Sequence, residues 1–398
     1  MMDPIVIVSA KRTPIGHFNG VFKNIASPQL GAQAISAVVG NRTDKIDQVI
    51  MGCVLSAGLG QAPARQAALA AGLAVTTPCM TINKMCGSGM QAVMSAAHEI
   101  ESGHAEIIIA GGMENMSRAP FLLQGARTGL RMGTQTMADH MLLDGLTNAY
   151  ENHLSMGAIA ESCAAKFNIT REQQDAFALE SLKRASIATQ NGLFDEEIVS
   201  VDISEARAGA LAQVEPTLIS IDEGIQKAMP DKIPRLKPVF IKDGTITAAN
   251  SSSISDGAAA LLLMRLSTAQ KYKLKPLAKI LGNTTVAKLP TEFPTAPINA
   301  IEKLLLKINL KIHDIDLFEI NEAFAVVTIA AMQALKIPPE RVNIHGGACV
   351  LGHPIGASGA RIVVTLIHAL KQHNKKRGIA ALCIGGGEAT AMAVEIIT

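Results

Sequence analysis

The sequence predicts an α/β protein built from two similar βα halves, with a loop-rich segment inserted into the chain. Apolar strands alternate with amphipathic helices through the first 117 residues. The last third of the chain repeats their landmarks about 270 residues later. The 398 residues exceed the usual size of a single core, and 48% of them are hydrophobic. We therefore expect two or three domains.

In the first half, the hydrophobic pattern predicts four strands and three helices in alternation. The strands are expected at residues 5–10, 46–54, 78–82 and 107–110, and the helices at residues 27–39, 61–71 and 88–101. Ser27 could cap the first helix, Pro28 suits its first turn, and Gly72 suits the end of the second helix. Such alternation is typical of a largely parallel sheet covered on both faces.

The pattern changes between residues 118 and 245. A loop rich in Gly, Met and Arg is followed by a polar helical stretch at 155–191, in which Thr170 and Gln173 form a capping box. Four prolines come next, at positions 216, 230, 234 and 238. We interpret residues 118–245 as an inserted loop domain whose charged surface either binds a ligand or is simply solvated. Residues 1–117 and 246–269 then form an N-terminal half, and residues 270–398 form a C-terminal half.

Three landmarks of the first half recur in the same order near the end of the chain. The matching pairs are residues 46–50 with 315–319, Ser88 and Gly89 with Ser358 and Gly359, and the strand ending at Gly111 and Gly112 with the strand ending at Gly385 and Gly386. This order indicates an internal duplication much longer than a solenoid repeat. Two such halves would pack face to face about a pseudo-twofold axis, so that loops of both would build one site.

Charge and composition argue against several classes of partner. The formal net charge is +2, and no run of Lys or Arg is long enough to indicate nucleic-acid binding. No apolar run reaches 18 residues, so we expect no membrane span, and the N-terminal residues are expected to form a buried strand rather than a targeting leader. The six cysteines form no CxxC pair, which favours free thiols in the cytoplasm.

One cysteine lies in a short turn, residues 83–90, between an expected strand and an expected helix. Neighbouring glycines let the backbone bend sharply around Cys86. Unpaired N–H groups and the positive end of the helix dipole should favour its thiolate over its thiol. Cys86 is therefore a candidate nucleophile, although a small buried cysteine of the core would leave the same pattern.

The corresponding stretch of the second half carries His353 directly before Pro354. Proline disfavours helical backbone at the preceding residue, so His353 is expected in a turn, where it could activate a thiol across the interface. A packed or capping histidine is the alternative. A metal site of His345, Cys349 and His353 is not expected, because their spacing aligns ligands only on a helix and the surrounding glycines and Pro354 oppose one.

A second cysteine, Cys383, ends an apolar strand that runs into a row of glycines beginning at Gly385. Such a row lets backbone N–H groups approach a ligand, as in an oxyanion hole, and a thiol beside it could act as an acid or base. A core cysteine before a tight turn is the alternative. Asn321 follows another strand and would either orient a water or carbonyl group or cap the next helix.

Together these motifs resemble those of the thiolases. The resemblance runs from Ile5 to the C-terminus. It rests on five stretches, which are NKMCGSG at 83–89, GGMENMS at 111–117, NEAF at 321–324, GHPIGASG at 352–359 and CIGGG at 383–387. It implies that the duplicated halves form a five-layer αβαβα core, and it is nearest to the acetyl-CoA C-acetyltransferases.

The resemblance also implies a role for each residue of the site. Cys86 would accept the acyl group, His353 would activate its thiol, and Cys383 would be the acid and base at the substrate Cα. Asn321 would position a water that forms one oxyanion hole with His353. The backbone N–H groups of Cys86 and Gly385 would form the other.

Further positions match the substrate contacts of the family, and three depart from its pattern, one of them Ala249, which stands where the family has glycine. Ala248 and Ser252 match coenzyme A contacts, and Met156 matches a residue that lines the acyl pocket. Ser155 stands where biosynthetic members commonly have histidine, and Glu388 stands where a neutral residue is usual. The departure at Ser155 weakens the expectation of a short acyl chain.

The activity implied is a reversible, ping-pong Claisen condensation of two acetyl-CoA to acetoacetyl-CoA and CoA. Coenzyme A is then substrate and product, and no bound metal or redox cofactor is needed. A 3-ketoacyl-CoA thiolase of broader chain length in fatty acid β-oxidation is the alternative. A ketoacyl synthase is disfavoured by Cys383 and Asn321, and a non-catalytic acyl-CoA binding protein by the intact cysteines and histidine. The family is typically dimeric or tetrameric, so we expect a homo-oligomer with residues 117–139 as the tetramer contact.

Overall fold

The computed structural model describes residues 3–42, 45–151, 154–204 and 216–397. Its strands are β1 Ile5–Arg12, β2 Gly16–His17, β3 Gln48–Gly52, β4 Cys79–Ile82, β5 Ile107–Asn115, β6 Phe121–Leu122, β7 Ala138–Asp139, β8 Val201–Asp202, β9 Leu218–Ile219, β10 Ser255–Arg265, β11 Ala278–Ala287, β12 Leu317–Ile320, β13 Arg377–Ile384 and β14 Glu388–Ile396. Its α-helices are α1 Ser27–Val39, α2 Pro63–Ala70, α3 Ser88–Glu101, α4 Met156–Phe167, α5 Arg171–Gln190, α6 Glu223–Lys227, α7 Leu266–Lys271, α8 Ala296–Lys307, α9 Ala325–Leu335, α10 Ala348–Leu351 and α11 Ile355–Gln372.

The main sheet contains the same arrangement of strands twice. Its order is β12-β13-β14-β11-β1-β10-β5-β3-β4, with β2 paired to β10. The sequence β3, β5, β10, β1 in one half corresponds to β12, β13, β14, β11 in the other. In each half the first pairing is parallel and the next two are antiparallel. The halves join where β1 and β11 pair antiparallel. This topology confirms the duplication.

The expectation of a largely parallel sheet is wrong. Among the described strands, only the pairings β3–β4, β3–β5 and β12–β13 are parallel. Parallel neighbours need a crossover connection, and the helices α2 and α3 supply it for β3, β4 and β5. By contrast, β13 turns directly into β14, and β10 enters the sheet only after the inserted segment, so both pair antiparallel to their neighbours.

Five layers of structure result from this topology. Helices α1 and α2 cover the outer face of one half of the sheet, and α8 and α9 cover the outer face of the other half. Helices α3 and α11 lie between the two half-sheets and share one buried cluster with residues of both. Close packing of α3 against α11 depends on small residues, since a Cβ at Gly89 would lie 2.8 Å from the backbone nitrogen of Ala360.

Buried charge anchors the inserted segment to the core. Arg12 at the end of β1 is fully buried, and its guanidinium lies 2.5 Å from Glu197 and 2.7 Å from Asp222. Both carboxylates belong to the segment predicted as an insertion. The proposed domain limits stay a prediction, and residues 205–215 of that segment lie outside the described residues.

Several local predictions are confirmed residue by residue. Helix α1 spans Ser27–Val39 as expected, although its cap position is Ala26 and not Ser27, and Thr170 caps α5 through a capping box with Gln173. The expected helical stretch at 155–191 is two helices, α4 and α5, separated at Asn168, which has a positive φ of 50°. In the part of the chain that the structure covers, no helix is both long and apolar enough to cross a membrane.

Candidate active site

A cavity of about 600 Å³ lies where the two halves and the inserted segment meet. Its walls include Cys86 from the N-terminal half, and His353, Cys383 and Gly385 from the C-terminal half. Neither half contains the whole group. Asn321 lies beside His353, with its Nδ2 3.4 Å from the histidine Nδ1. The structure thus brings together all five residues that the sequence singled out for chemistry.

The turn that carries Cys86 is held by one hydroxyl group. Ser88 Oγ accepts a hydrogen bond from the Lys84 N–H at 2.8 Å and donates one to the Met85 carbonyl at 2.7 Å. Met85 has a φ of 47°, a left-handed conformation that costs energy for a residue with a side chain. This turn places Cys86 just before the cap of α3, with its side chain on the cavity wall.

The expectation that the helix start would favour the Cys86 thiolate is wrong. Burial raises the pKa of the thiol to about 11, and the backbone N–H groups of Gly385 and of Cys86 itself only partly offset this rise. Desolvation disfavours the charged form more than two hydrogen bonds and a helix dipole favour it. The resting cysteine is therefore a neutral thiol that needs a base during attack.

His353 is suited to act as that base by its position and by the nitrogen that carries its proton. Its Nδ1 lies 2.6 Å from Ser358 Oγ, and Ser358 in turn donates to the Pro354 carbonyl at 2.9 Å. Because Ser358 already donates its proton to the Pro354 carbonyl, its oxygen must accept a proton from His353. We therefore place the ring proton on Nδ1, which leaves a lone pair on Nε2. Burial, followed by the charge of Arg361, lowers the pKa of His353 to about 3, so the ring is neutral. No described residue hydrogen-bonds to Nε2.

Asn321 does not cap the helix that follows it. Helix α9 begins at Ala325 with Phe324 at its cap position. The Asn321 side chain is buried instead, and within the described residues its Oδ1 has no hydrogen-bond partner. A buried amide group with an unused oxygen beside a catalytic candidate suits the binding of a water or substrate atom.

Cys383 lies at the end of β13, where a glycine hairpin begins. Burial raises the pKa of its thiol well above the ordinary value, and the nearby Cys86 raises it further. Gly387 has a φ of 93°, and a Cβ there would lie 2.6 Å from the carbonyl oxygens of Lys288 and Leu289. Only glycine fits this turn, which presents the Gly385 N–H to Cys86.

The three residues of the disfavoured metal site have separate partners. His345 Nε2 lies 3.0 Å from His373 Nε2, and Cys349 Sγ lies 3.9 Å from the Glu322 carbonyl. His353 faces the cavity. Among the described residues, no group of three or more His, Cys, Asp or Glu side chains is arranged to hold a metal ion.

Comparison with protein-family models covers nearly the whole chain. The model of the thiolase N-terminal domain matches residues 5–267, and that of the thiolase C-terminal domain matches residues 274–396. The chain belongs to the thiolase family. It is therefore an acyltransferase.

Curated relatives of this thiolase match it end to end. A probable acetyl-CoA acetyltransferase of Dictyostelium discoideum is 47% identical over 99% of this chain and 94% of its own length. A probable acetyl-CoA acyltransferase of Staphylococcus aureus is 45% identical over 99% of both chains.

Solved structures match the fold equally completely. A thiolase from Ascaris suum, crystallised in complex with coenzyme A, has a TM-score of 0.92 and 40% identity, covering 99% of this chain and 100% of its own. The acetyl-CoA acetyltransferase of Bacillus anthracis has a TM-score of 0.94 and 38% identity, covering 100% of this chain and 99% of its own.

The substrate side of the thiolase cavity is mostly apolar. Met156, Ala248 and Ser252 all line it, as do Leu142, Leu146, Phe240, Phe293 and Phe324. Ser155 also borders the cavity, but its hydroxyl accepts the Ala158 N–H at 3.2 Å and caps α4. A small side chain therefore occupies the position where biosynthetic members commonly have histidine.

Sequence reasoning missed one residue behind this site. Glu114 is fully buried and accepts backbone N–H groups of Val54, Leu55 and Gly356 at 3.0, 3.2 and 2.9 Å. It thereby ties a loop of the N-terminal half to the first turn of α11. The sequence did contain a signal for this role, because Glu114 is a charged residue within the apolar strand β5.

Proposed function

We propose that this thiolase is an acetyl-CoA C-acetyltransferase that condenses two acetyl-CoA reversibly to acetoacetyl-CoA and CoA. The observation that carries the proposal is the pairing of two thiols in one cavity, Cys86 and Cys383, with a neutral histidine beside them. Acyl transfer alone needs one nucleophile, whereas carbon–carbon chemistry needs a second acid and base at the substrate Cα.

In the first half-reaction, Cys86 Sγ attacks the carbonyl carbon of acetyl-CoA while its proton passes to His353 Nε2. The Cys86 and Gly385 N–H groups stabilise the developing oxyanion. The bond from carbon to the CoA sulfur breaks, and the departing CoA thiolate takes the proton of Cys383. This leaves an acetyl group on Cys86, a cationic His353 and an anionic Cys383, so charge and protons balance.

In the second half-reaction, the Cys383 thiolate removes a Cα proton from a new acetyl-CoA. His353 and a water held by Asn321 stabilise the enolate oxygen. The carbanion attacks the acetyl carbon, and the Cys86 thiolate that leaves recovers its proton from His353. One well-placed oxyanion donor contributes about 3 kcal/mol to such a step. Because negative charge develops on a different oxygen in each half-reaction, a separate hole for each one is favourable. In the cleavage direction, the neutral Cys383 thiol that burial favours donates its proton to Cα.

Coenzyme A would reach this site through a neighbouring cavity. That cavity, of about 270 Å³, is lined by Lys227 and Lys232, and it shares Ala248 and Ser253 with the thiol site. The lysine charges suit the phosphates of the nucleotide end, and the apolar passage suits the pantetheine arm. The coenzyme A complex of the Ascaris suum relative supports the same ligand here.

A 3-ketoacyl-CoA thiolase of broader chain length is the second candidate. Ser155 favours it, because a small capping residue occupies the place of the expected ring beside Met156. Rates of thiolysis on 3-ketoacyl-CoA substrates of increasing length separate the two. A rate that falls steeply beyond four carbons supports the first candidate, and a sustained rate supports the second.

We also propose that the enzyme is a homo-oligomer, a dimer or tetramer, in the cytoplasm. Strand β4 forms an edge of the main sheet and exposes 41% of Met80, and residues 117–139 expose Phe121, Met132 and Met137. Exposed apolar surface and a free strand edge favour association. All six cysteines are free thiols, which supports a reducing compartment. Light scattering would give the mass relative to the 41.8 kDa chain.

Mass spectrometry tests the proposed nucleophile. Incubation with acetyl-CoA should add one acetyl group to the peptide that contains Cys86 and release CoA. Cys86→Ala should abolish both, whereas Cys79→Ala, which changes a thiol outside the cavity, should not. Acetylation at another residue, or full activity in Cys86→Ala, would contradict the proposal.

A further inference from the structure

An ion pair joins the turn that carries Cys86 to the hairpin that carries Gly385. Lys84 Nζ contacts Glu388 Oε2 across the two halves of the molecule, and the two side chains are 23% and 35% exposed. Lys84 precedes Cys86 by two residues, and Glu388 is the first residue of β14, directly after the glycine hairpin. This explains why a charged residue is tolerated where the family usually has a neutral one.

The turn and the strand end that leads into the hairpin also meet elsewhere. Deep in the structure, a Cβ on Gly87 would lie 2.4 Å from Cδ1 of Ile384, so the Ile384 side chain packs directly against the Gly87 backbone. In the middle, Gly385 and Cys86 line the same cavity, and the Gly385 N–H lowers the pKa of the Cys86 thiol. The Lys84–Glu388 pair lies at the outer, solvent-facing end of the same contact.

Both segments contain left-handed backbone, which costs energy at Met85 and is relaxed at a glycine. Met85 and Gly386 have positive φ values of 47° and 97°. The hairpin is otherwise tied to its surroundings by the Lys288 N–H, which donates to the Gly387 carbonyl at 2.7 Å on the side of β11. That bond holds the hairpin to its own half only. The ion pair is a charged contact between the start of β14 and the nucleophile turn of the other half.

We propose that Lys84 and Glu388 are positioning residues that hold the Gly385 N–H in register with the acyl group on Cys86. The inference rests on the proposed acyl transfer at Cys86. An oxyanion donor acts only when it is held within a fraction of an ångström of its place, so a pair that touches no substrate can still set the rate. A pair that served stability alone would leave the rate unchanged.

The test is a double-mutant cycle of Lys84→Met and Glu388→Gln in the full-length enzyme. Each single change should lower kcat for thiolysis of acetoacetyl-CoA by roughly tenfold and leave KM for the substrate within about twofold. Because the two residues act as one contact, the double variant should be no slower than either single variant. Lys84→Arg keeps the charge and should recover most of the rate.

Lys279→Met is the matched control. Lys279 pairs with Glu395 at 2.7 Å between strands, is 35% exposed, and does not line the cavity. The Lys279→Met substitution should lower the midpoint of thermal unfolding about as much as Lys84→Met does, and it should leave kcat unchanged.

Suppose that the wild-type enzyme does acylate Cys86. Two results would then overturn this inference and leave the proposed function standing. One is an unchanged kcat in both single variants, and the other is a double variant in which the two losses multiply. A wild-type protein that neither acylates Cys86 nor cleaves acetoacetyl-CoA overturns the proposed function and this inference together.

Discussion

Replacing Ser358 by alanine removes the hydrogen-bond partner of His353 Nδ1. That contact is 2.6 Å long and buried, so bulk solvent does not reach it to replace the lost hydroxyl. Leaving a buried N–H without a partner costs about 1–3 kcal/mol. The cost falls on the tautomer with its proton on Nδ1, which is the one with a free lone pair at Nε2.

The expected effect on rate follows from this cost. At about 1.4 kcal/mol for each factor of ten, the competent tautomer becomes roughly 5- to 150-fold less favoured. We therefore expect kcat for acetoacetyl-CoA thiolysis to fall by about one to two orders of magnitude in Ser358→Ala, with KM little changed. Rapid mixing of enzyme with acetoacetyl-CoA should show the loss in the acylation phase, because His353 acts there first.

Thr365→Ala provides the control on the same helix. Thr365 is also fully buried, and its hydroxyl donates to Glu197 at 3.1 Å, away from the cavity. Both substitutions should lower the free energy of unfolding by about 1–3 kcal/mol. An acylation rate for Ser358→Ala within twofold of wild type, or an equal loss of rate in Thr365→Ala, would refute the assignment of the His353 tautomer.

Three further outcomes follow from the structure. Cys383→Ala should still transfer an acetyl group to Cys86 but should no longer exchange the acetyl protons of acetyl-CoA with deuterated solvent; normal exchange would exclude its role as acid and base. Burial raises the pKa of Glu319 to about 8 from an ordinary 4.5, so between these pH values the folded chain retains a proton that the unfolded chain releases. The thermal midpoint should therefore fall as the pH rises from 7 to 8, and less steeply in Glu319→Gln; equal slopes would contradict the shift. Arg12→Met leaves its two buried carboxylate partners unpaired and should lower the free energy of unfolding by about 3–5 kcal/mol, measured by urea titration, whereas a loss below 1 kcal/mol would mean that water reaches them.

Features that depend on a few neighbouring residues were predictable from the sequence. The bounds of α1, the Thr170 cap of α5 and the turn at His353 before α11 follow from apolar spacing, side-chain capping and the backbone restriction of proline. The candidate site was also predictable, because its residues lie in short motifs at strand and helix ends. The duplication identified which of those motifs would meet.

Features that depend on burial or on distant partners were not predictable. The helix start was expected to favour the Cys86 thiolate, but desolvation in the assembled cavity outweighs it. Glu114 was visible as a motif residue, yet the backbone groups it binds lie on two other segments of the chain. Strand polarity likewise depends on how β10 and β14 return to the sheet.

The sequence by itself determined most of the helices and strands of the first half, the repeated halves and the side chains proposed to carry chemistry, because each shows as a pattern or a short motif along the chain. Only the tertiary structure decided the protonation of Cys86 and His353, the pairing of Lys84 with Glu388 and the place of Ser155 in the cavity wall. These depend on solvent exclusion and on contacts between residues hundreds of positions apart, and both arise only when the two halves close around one cavity.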